Sequence, residues 1–284
     1  MIKKFSSLVM FSHTIFAMPF ALIGFTYAIT TTDATFSWLL LLQVVLCMIF
    51  ARNSAMGFNR WADRDIDARN ERTANRDIPA NRISPRSALI FVAVNAILFV
   101  ATSCTINALT AWLSPVALFI VMIYSYCKRF TSAAHLVLGL GLSIAPVGAY
   151  IAVAGQFALA PCLLSAVVLT WCSGFDIIYA LQDAEFDREE GLHSIPARFS
   201  ATGALTISAV LHLFSAVALL FFASLLPCSI WITSGVTLFI VILIAEHFLV
   251  TPKRQRNIGI AFGTLNGIAS LTLALLTIIG LILS

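Results

Sequence analysis

Nine stretches of about twenty apolar residues recur along this chain and constrain its fold more than any other feature. They run near 14–32, 36–58, 85–104, 107–127, 134–154, 160–182, 203–224, 228–250 and 258–283. A helix of that length crosses the ~30 Å hydrocarbon core of a bilayer and satisfies its own backbone N–H and C=O groups. The runs are continuous, which argues against the ~10-residue alternating strands of a membrane β-barrel. Composition agrees: 60% of the residues are hydrophobic and 11% charged, against roughly 25% charged in soluble domains. Too few charges remain to cover a soluble globule, so a cytosolic enzyme and a disordered chain are both excluded. The expected fold class is all-α, a polytopic membrane protein with nine transmembrane helices.

The 17 Lys and Arg residues fall on this map in a pattern. Lys3 and Lys4 precede the first span, and Arg52 to Arg86 lie between late span two and the start of span three. Lys128 and Arg129 follow span four, Arg188 and Arg198 follow span six, and Lys253, Arg254 and Arg256 follow span eight. The odd-numbered connections hold none. By the positive-inside rule the N-terminus and the even-numbered loops face the cytoplasm, in a bacterial inner membrane, with Ser284 on the far side. The net charge of +4 therefore reports orientation, and membrane lipid rather than nucleic acid is the expected partner. Met1 to Lys4 ahead of an apolar run imitates a signal peptide, but the run is long and has no small-residue cleavage site. It is expected to stay as the first span. The six cysteines lie in or beside apolar segments with no CxxC pair, and read as small apolar packers.

A repeat is concealed in the charges. Asp63 and Asp67 follow span two, and Asp183 and Asp187 follow span six, each 120 residues on. Lys128-Arg129 after span four is echoed by Lys253-Arg254 after span eight. This predicts two tandem four-helix halves plus a ninth helix, within one domain over 1–284. Its acidic loops, about 59–84 and 183–200, would meet at one cytoplasmic mouth.

If span two continues as a helix, Asn59, Asp63 and Asp67 form a stripe at i, i+4 and i+8, with Asp65 pointing away. Asp176, Tyr179, Asp183 and Asp187 likewise share a helix face at i, i+3, i+7 and i+11. Columns of carboxylate and carbonyl oxygens suit a hard cation such as Mg²⁺, which keeps positions open for a phosphate partner. Four carboxylates would repel one another without cations, and metal ions bridging a diphosphate resolve that repulsion. Arg69, Arg72, Arg76, Lys128 and Arg129 are placed to grip phosphate oxygens. Asp176 lies about two turns, ~10 Å, deeper than Asp183, and Arg52 lies at similar depth below Asn59. An ionisable group that deep costs ~2.5–3.5 kcal/mol, so both are expected to face a functional cavity.

These segments, with Arg72 to Pro79, Tyr124 to Thr131 and Tyr179 to Asp187, resemble the UbiA superfamily of intramembrane aromatic prenyltransferases over nearly the whole chain. The nearest likeness is to the 4-hydroxybenzoate polyprenyltransferase branch. The resemblance implies a nine-helix bundle with a lipid-facing tunnel for an isoprenoid tail. It also implies Mg²⁺ and diphosphate at the mouth, held through Asn59, Asp63, Asp67, Asp183 and Asp187. The implied substrates are a polyprenyl diphosphate and an aromatic acid. Arg72, Lys128 and Arg129 would add positive charge, and Tyr124 or Tyr179 would face an allylic cation. Asp176 would orient the acceptor's phenol or take its proton, and Arg52 would receive an acceptor carboxylate or a phosphate. His13 falls in the family's substrate-facing first helix.

Two positions depart from the family pattern: its first-helix Arg is Phe11 here, and the Lys after its second acidic motif is His193. The segment from Gly191 to Pro196 is also similar to members acting on a dihydroxynaphthoate in menaquinone synthesis, so that acceptor stands as the alternative. Haem O synthase, chlorophyll synthase and 1,4-dihydroxy-2-naphthoate prenyltransferase are further branches. Two other classes fit less well. A CDP-alcohol phosphatidyltransferase uses one contiguous motif beginning Asp-Gly, a dipeptide absent here, and a transporter would place its charges near the midplane. His135 and His212 read as interior hydrogen-bonders, and Glu246 and His247 as partners of basic residues or headgroups. Trp38, Trp112 and Trp231 read as interface anchors, and Pro19 and Pro146 as kinks.

Overall fold

The computed structural model describes residues 16–252 and 254–284, and these are helical with no strand. Eight helical segments are long and apolar enough to cross a membrane, and a shorter apolar helix precedes them. In chain order the helices are α1 (Met18–Thr31), α2 (Trp38–Ala62), α3 (Arg64–Arg69), α4 (Pro85–Cys104), α5 (Ala108–Cys127) and α6 (Ala134–Ala154). There follow α7 (Leu159–Ala180), α8 (Ala184–Glu189), α9 (Ile195–Arg198), α10 (Ala201–Ser224), α11 (Ile230–Leu249) and α12 (Asn266–Leu283).

The spans begin where polar caps stop the preceding chain. Ser37, Ser84, Asn107 and Ser200 each accept a backbone N–H from three residues on, at 3.3, 3.1, 2.8 and 3.2 Å. Each thereby satisfies one of the donors that a helix start leaves open. Pro19 sits in the first turn of α1 instead of kinking a span, where its missing N–H costs nothing. Pro146 is inside α6, as expected.

The bundle closes around α7, whose Leu164, Val167, Val168, Trp171, Cys172, Ile177 and Ile178 are fully buried. It packs between α6 and α10, while α1 packs against α6 and α12. Lipid is as apolar as leucine, so close packing rather than hydrophobic transfer holds such helices together. Two glycines permit it. A Cβ on Gly24 would overlap the Pro146 carbonyl, and one on Gly139 would overlap Ser173 Oγ and the Leu169 carbonyl. The outer surface is apolar and exposed at Ile97, Phe119, Leu213, Phe221, Ile244 and Leu275, with Trp38 and Trp112 among the most exposed side chains. Cys104, Cys162 and Cys228 also lie exposed, so only some of the six free cysteines pack inside.

Ahead of α12 the chain makes a π-helical turn, Ile260–Leu265. The Ala261 carbonyl in that turn accepts Asn266 Nδ2 at 2.9 Å. Asn266 also donates to Glu246 Oε1 at 2.9 Å and accepts Trp171 Nε1 at 2.7 Å. Glu246 is thus wholly buried, and His247 Nε2 meets His212 Nδ1 at 3.0 Å. Of the basic residues or headgroups expected as partners of Glu246 and His247, the structure supplies an interior histidine, with His212 Nδ1 3.8 Å from Glu246 Oε2. A loosened helix turn inside a bilayer needs internal partners, and this polar cluster supplies them.

Candidate active site

Two adjoining cavities occupy the bundle. One of about 470 Å³ is walled mainly by apolar side chains of α2, α5 and α6, with Arg52, Tyr124 and Asp176 among the few polar groups. The other, of about 200 Å³, is lined by Asn59, Asp63, Asp67, Asp183 and Asp187 with Arg72, Arg76 and Lys128. Tyr124, Leu138 and Asp176 line both, so the apolar chamber meets the charged one at these residues.

The first acidic segment reaches the charged cavity because α2 overshoots its apolar run by a turn and then breaks. Asp63 closes α2, its N–H bonded to the Asn59 carbonyl at 2.9 Å, and its own carbonyl accepts the Asp67 N–H at 2.7 Å. Asn59 Nδ2 donates to Asp63 Oδ2 at 3.0 Å, so the expected stripe survives the break. Asp63 and Asp67 are both 3% exposed, whereas the Asp65 side chain is 75% exposed. Lys128 Nζ stands 3.0 Å from Asp63 Oδ2, and Arg76 Nη1 donates to Asp67 Oδ1 at 2.7 Å.

The second segment leaves α7 through a 3-10 turn, Leu181–Asp183, into α8. Asp183 is clamped by the first loop: Asn70 Nδ2 donates at 3.0 Å, Arg72 Nε at 2.8 Å, and Arg72 Nη2 pairs with the second oxygen. Burial alone would raise the Asp183 carboxyl, but the hydrogen bonds and charge of Arg72, with Asn70 and Arg76, outweigh it and hold it below its ordinary value. Arg72 is correspondingly held above its usual value, since Asp183 overcomes the lowering effect of burial. At Asp187 burial prevails, and the carboxyl is raised despite a Ser194 hydrogen bond and the Lys128 charge.

Three of the expected residues also engage other groups of the protein. Arg129 does not line the charged cavity; its Nη groups donate to the Ser125 and Ala62 carbonyls at 2.8 and 2.7 Å, pinning the ends of α5 and α2. Its distance of 3.0 Å from Asp63 Oδ1 lacks hydrogen-bond geometry, so the contact is ionic. Arg69 pairs with Glu190 at 2.8 Å, also away from the cavity. Tyr179 packs on Phe262 at 4.2 Å, carries the Arg72 guanidinium over its ring at 5.5 Å, and accepts Arg72 Nη1 at 3.2 Å. It thereby supports Arg72 while lining the charged cavity, and Tyr124 lies where the two chambers meet. His13 lies outside the described residues.

Among the described residues no three carboxylate, imidazole or thiol groups form a ready metal cage, and Asp63, Asp67 and Asp183 are each paired with a basic side chain. The donor set nonetheless fits a hard cation. Asp67 Oδ2 is buried with no hydrogen-bond donor, on a carboxylate that lines the charged cavity. An ionised oxygen in that position is costly unless a cation meets it.

The UbiA prenyltransferase family matches residues 17–276. This chain belongs to that family. Among its UbiA relatives, the 4-hydroxybenzoate octaprenyltransferase of Aliivibrio fischeri (strain MJ11) is 34% identical over 59% of this chain and 58% of the relative. That of Pseudomonas fluorescens is 35% identical over 55% and 52%, so these first alignments span little more than half of the relatives' lengths. A longer alignment, to the Aeromonas salmonicida 4-hydroxybenzoate octaprenyltransferase, is 31% identical over 78% of this chain and 75% of the relative. The apo structure of a UbiA homolog from Aeropyrum pernix superposes with TM-score 0.81 at 28% identity, covering 95% of this chain and 97% of that one. A UbiA homolog from Archaeoglobus fulgidus bound to GPP and Mg²⁺ shares the fold, with TM-score 0.69 at 21% identity over 94% and 99% of the two chains.

Within this UbiA fold, sequence reasoning missed Asn70, Thr73, Ser194 and His135 as cavity residues. Asn70 lies two residues before Arg72 and bonds the same carboxylate, a signal too common in loops to single out. His135 was read only as an interior hydrogen-bonder; its partner is Asp176, at 2.6 Å.

Proposed function

We propose that this chain transfers a polyprenyl group from a polyprenyl diphosphate to a hydroxybenzoate-type aromatic ring, with Mg²⁺, in respiratory quinone biosynthesis. The charged cavity would face the cytoplasm at a bacterial inner membrane. The observation that carries this reading is the junction of a charged cavity with an apolar one at Tyr124 and Asp176. Such a pair suits a substrate with a diphosphate head and a hydrocarbon tail. The names of the octaprenyltransferase relatives support the substrate class, and the GPP and Mg²⁺ held by the Archaeoglobus protein support the cofactor.

Asn59, Asp63, Asp67, Asp183 and Asp187 would hold Mg²⁺, which as a Lewis acid neutralises charge on the leaving diphosphate. Arg72, Arg76 and Lys128 now rest on Asp183, Asp67 and Asp63, and on substrate binding they turn to phosphate oxygens. The allylic C–O bond breaks with its electron pair leaving on the diphosphate. Tyr124, at the junction, offers its ring face to the allylic cation. The ring carbon beside the acceptor hydroxyl forms the new C–C bond, and Asp176 accepts the proton released as the ring regains aromaticity. Arg52, in the apolar chamber, receives the acceptor carboxylate. The apolar wall excludes water, which would otherwise capture the cation.

The test is purified protein in detergent with Mg²⁺ and a long-chain polyprenyl diphosphate. It is offered 4-hydroxybenzoate and two dihydroxynaphthoate isomers in parallel, with products read by mass spectrometry. Prenylated 4-hydroxybenzoate is the expected product. A prenylated naphthoate keeps the reaction and moves the acceptor to menaquinone synthesis, and diphosphate release with no aryl product rejects the acceptor class.

A further inference from the structure

We propose that His135 is a positioning residue for the acceptor: its imidazole holds the Asp176 carboxylate in one orientation, engaging Oδ2 and leaving Oδ1 to the acceptor hydroxyl. The inference rests on the reading above that Asp176 meets the acceptor.

The hydrogen bonds around the ring decide which nitrogen carries its proton. The Ile195 N–H donates to His135 Nε2 at 3.3 Å, so Nε2 must present its lone pair. A neutral ring then has its proton on Nδ1, which lies 2.6 Å from Asp176 Oδ2. The opposite tautomer would set two N–H groups head to head in a buried place. His135 is therefore the donor and Asp176 the acceptor. No other hydrogen bond reaches the Asp176 carboxylate among the described residues, and Asp176 lines both chambers.

Three features fix the ring itself. It is 5% exposed, so solvent does not compete for its nitrogens. Ser173 Oγ donates to the His135 carbonyl at 3.1 Å, and the close approach at Gly139 one turn later holds α6 against α7. Ile195 follows Ser194, which lines the charged cavity with Asp187, so the backbone that sets the tautomer adjoins the second acidic segment.

The test compares wild type with H135A, H135N and D176N in the prenyl-transfer assay, with thermal midpoints to establish folding. Asn can place its Nδ2 where His places Nδ1. Losing a donor to a carboxylate predicts a roughly 10- to 100-fold fall in kcat/KM for the acceptor in H135A, with KM for the prenyl diphosphate within about 2-fold of wild type. H135N is expected to recover most of the loss, and H135A in a D176N background to add nothing further. Equal acceptor kinetics in wild type and H135A overturn the inference, as does a parallel rise in diphosphate KM. Should H135A fail to fold, a folded H135N with acceptor kinetics as poor as D176N also overturns it. D176N with normal acceptor use removes the basis on Asp176, and absence of aryl product from wild type rejects the proposed function itself.

Discussion

Substituting Asp67 with Asn tests a buried carboxylate oxygen of the charged cavity that receives no hydrogen bond among the described residues. Asp67 is 3% exposed; Oδ1 accepts Arg76 at 2.7 Å, and Oδ2 accepts no hydrogen bond among the described residues. Asn keeps an oxygen for Arg76 but loses the charge. An ion pair then becomes a hydrogen bond from the still-charged Arg76 to a neutral amide oxygen, a gross loss of about 1–2 kcal/mol. The Arg76 side chain is 26% exposed, so solvent screening reduces this to about 1 kcal/mol, worth roughly 2–4 °C of midpoint. The liganded state is where the two proteins diverge. Mg²⁺ with a non-hydrolysable prenyl diphosphate analogue at about 100 times its Kd stabilises the fold by ~2.7 kcal/mol, a rise of roughly 5–10 °C. A 100-fold weaker Kd leaves about 0.4 kcal/mol, or roughly 1 °C. The assay is a thermal melt in detergent with and without the pair of ligands, beside prenyl transfer. Asp67→Asn should melt close to wild type when unliganded, show almost no ligand-dependent rise, and lose nearly all turnover. A full rise with turnover within about 10-fold of wild type would refute the assignment of Oδ2 to a cation.

Asp65→Ala should retain near-normal turnover, because that side chain points out of the cavity and its Arg64 contact at 3.4 Å is an exposed pair. Damage equal to that of Asp67→Asn in a folded preparation would defeat the geometry. Asp187→Asn should raise the unliganded melting midpoint at neutral pH while removing turnover. Burial raises the Asp187 carboxyl, so the stability linked to its protonated form is complete below the ordinary carboxylate range. That stability is lost as pH rises through the raised folded value, and Asn restores it; a lower midpoint counts against this. Gly139→Val should lower the midpoint by several degrees and the yield of folded protein, since its side chain enters the space of Ser173 and Leu169. An unchanged midpoint would mean that α6 and α7 can part without cost.

The spans and the acidic register were legible because both depend on local rules. Apolar runs of bilayer length and the i, i+4 spacing of Asn59, Asp63 and Asp67 survive any arrangement of neighbours, and even the break of α2 at Asp63 left all three on one cavity. Roles that depend on which groups come together were not legible. Arg129 and Lys128 are adjacent in sequence, yet one pins helix ends and the other faces the cavity. Tyr179 shares a face with Asp183, and the packing of its ring on Phe262 and under Arg72 comes from distant parts of the chain.

Sequence by itself determined the solvent, the helix count to within the short first helix, and the residue types available for binding a diphosphate and a cation. Those follow from transfer energies and helix periodicity, which act within twenty residues or fewer. Tertiary structure decided the pairing: that Asn70 and Arg72 clamp Asp183, that His135 holds Asp176, and that Glu246 turns inward to Asn266. The reason is physical. A buried polar group must find a partner within about 3 Å, and which partner stands there depends on segments brought together from 20 to 113 residues apart.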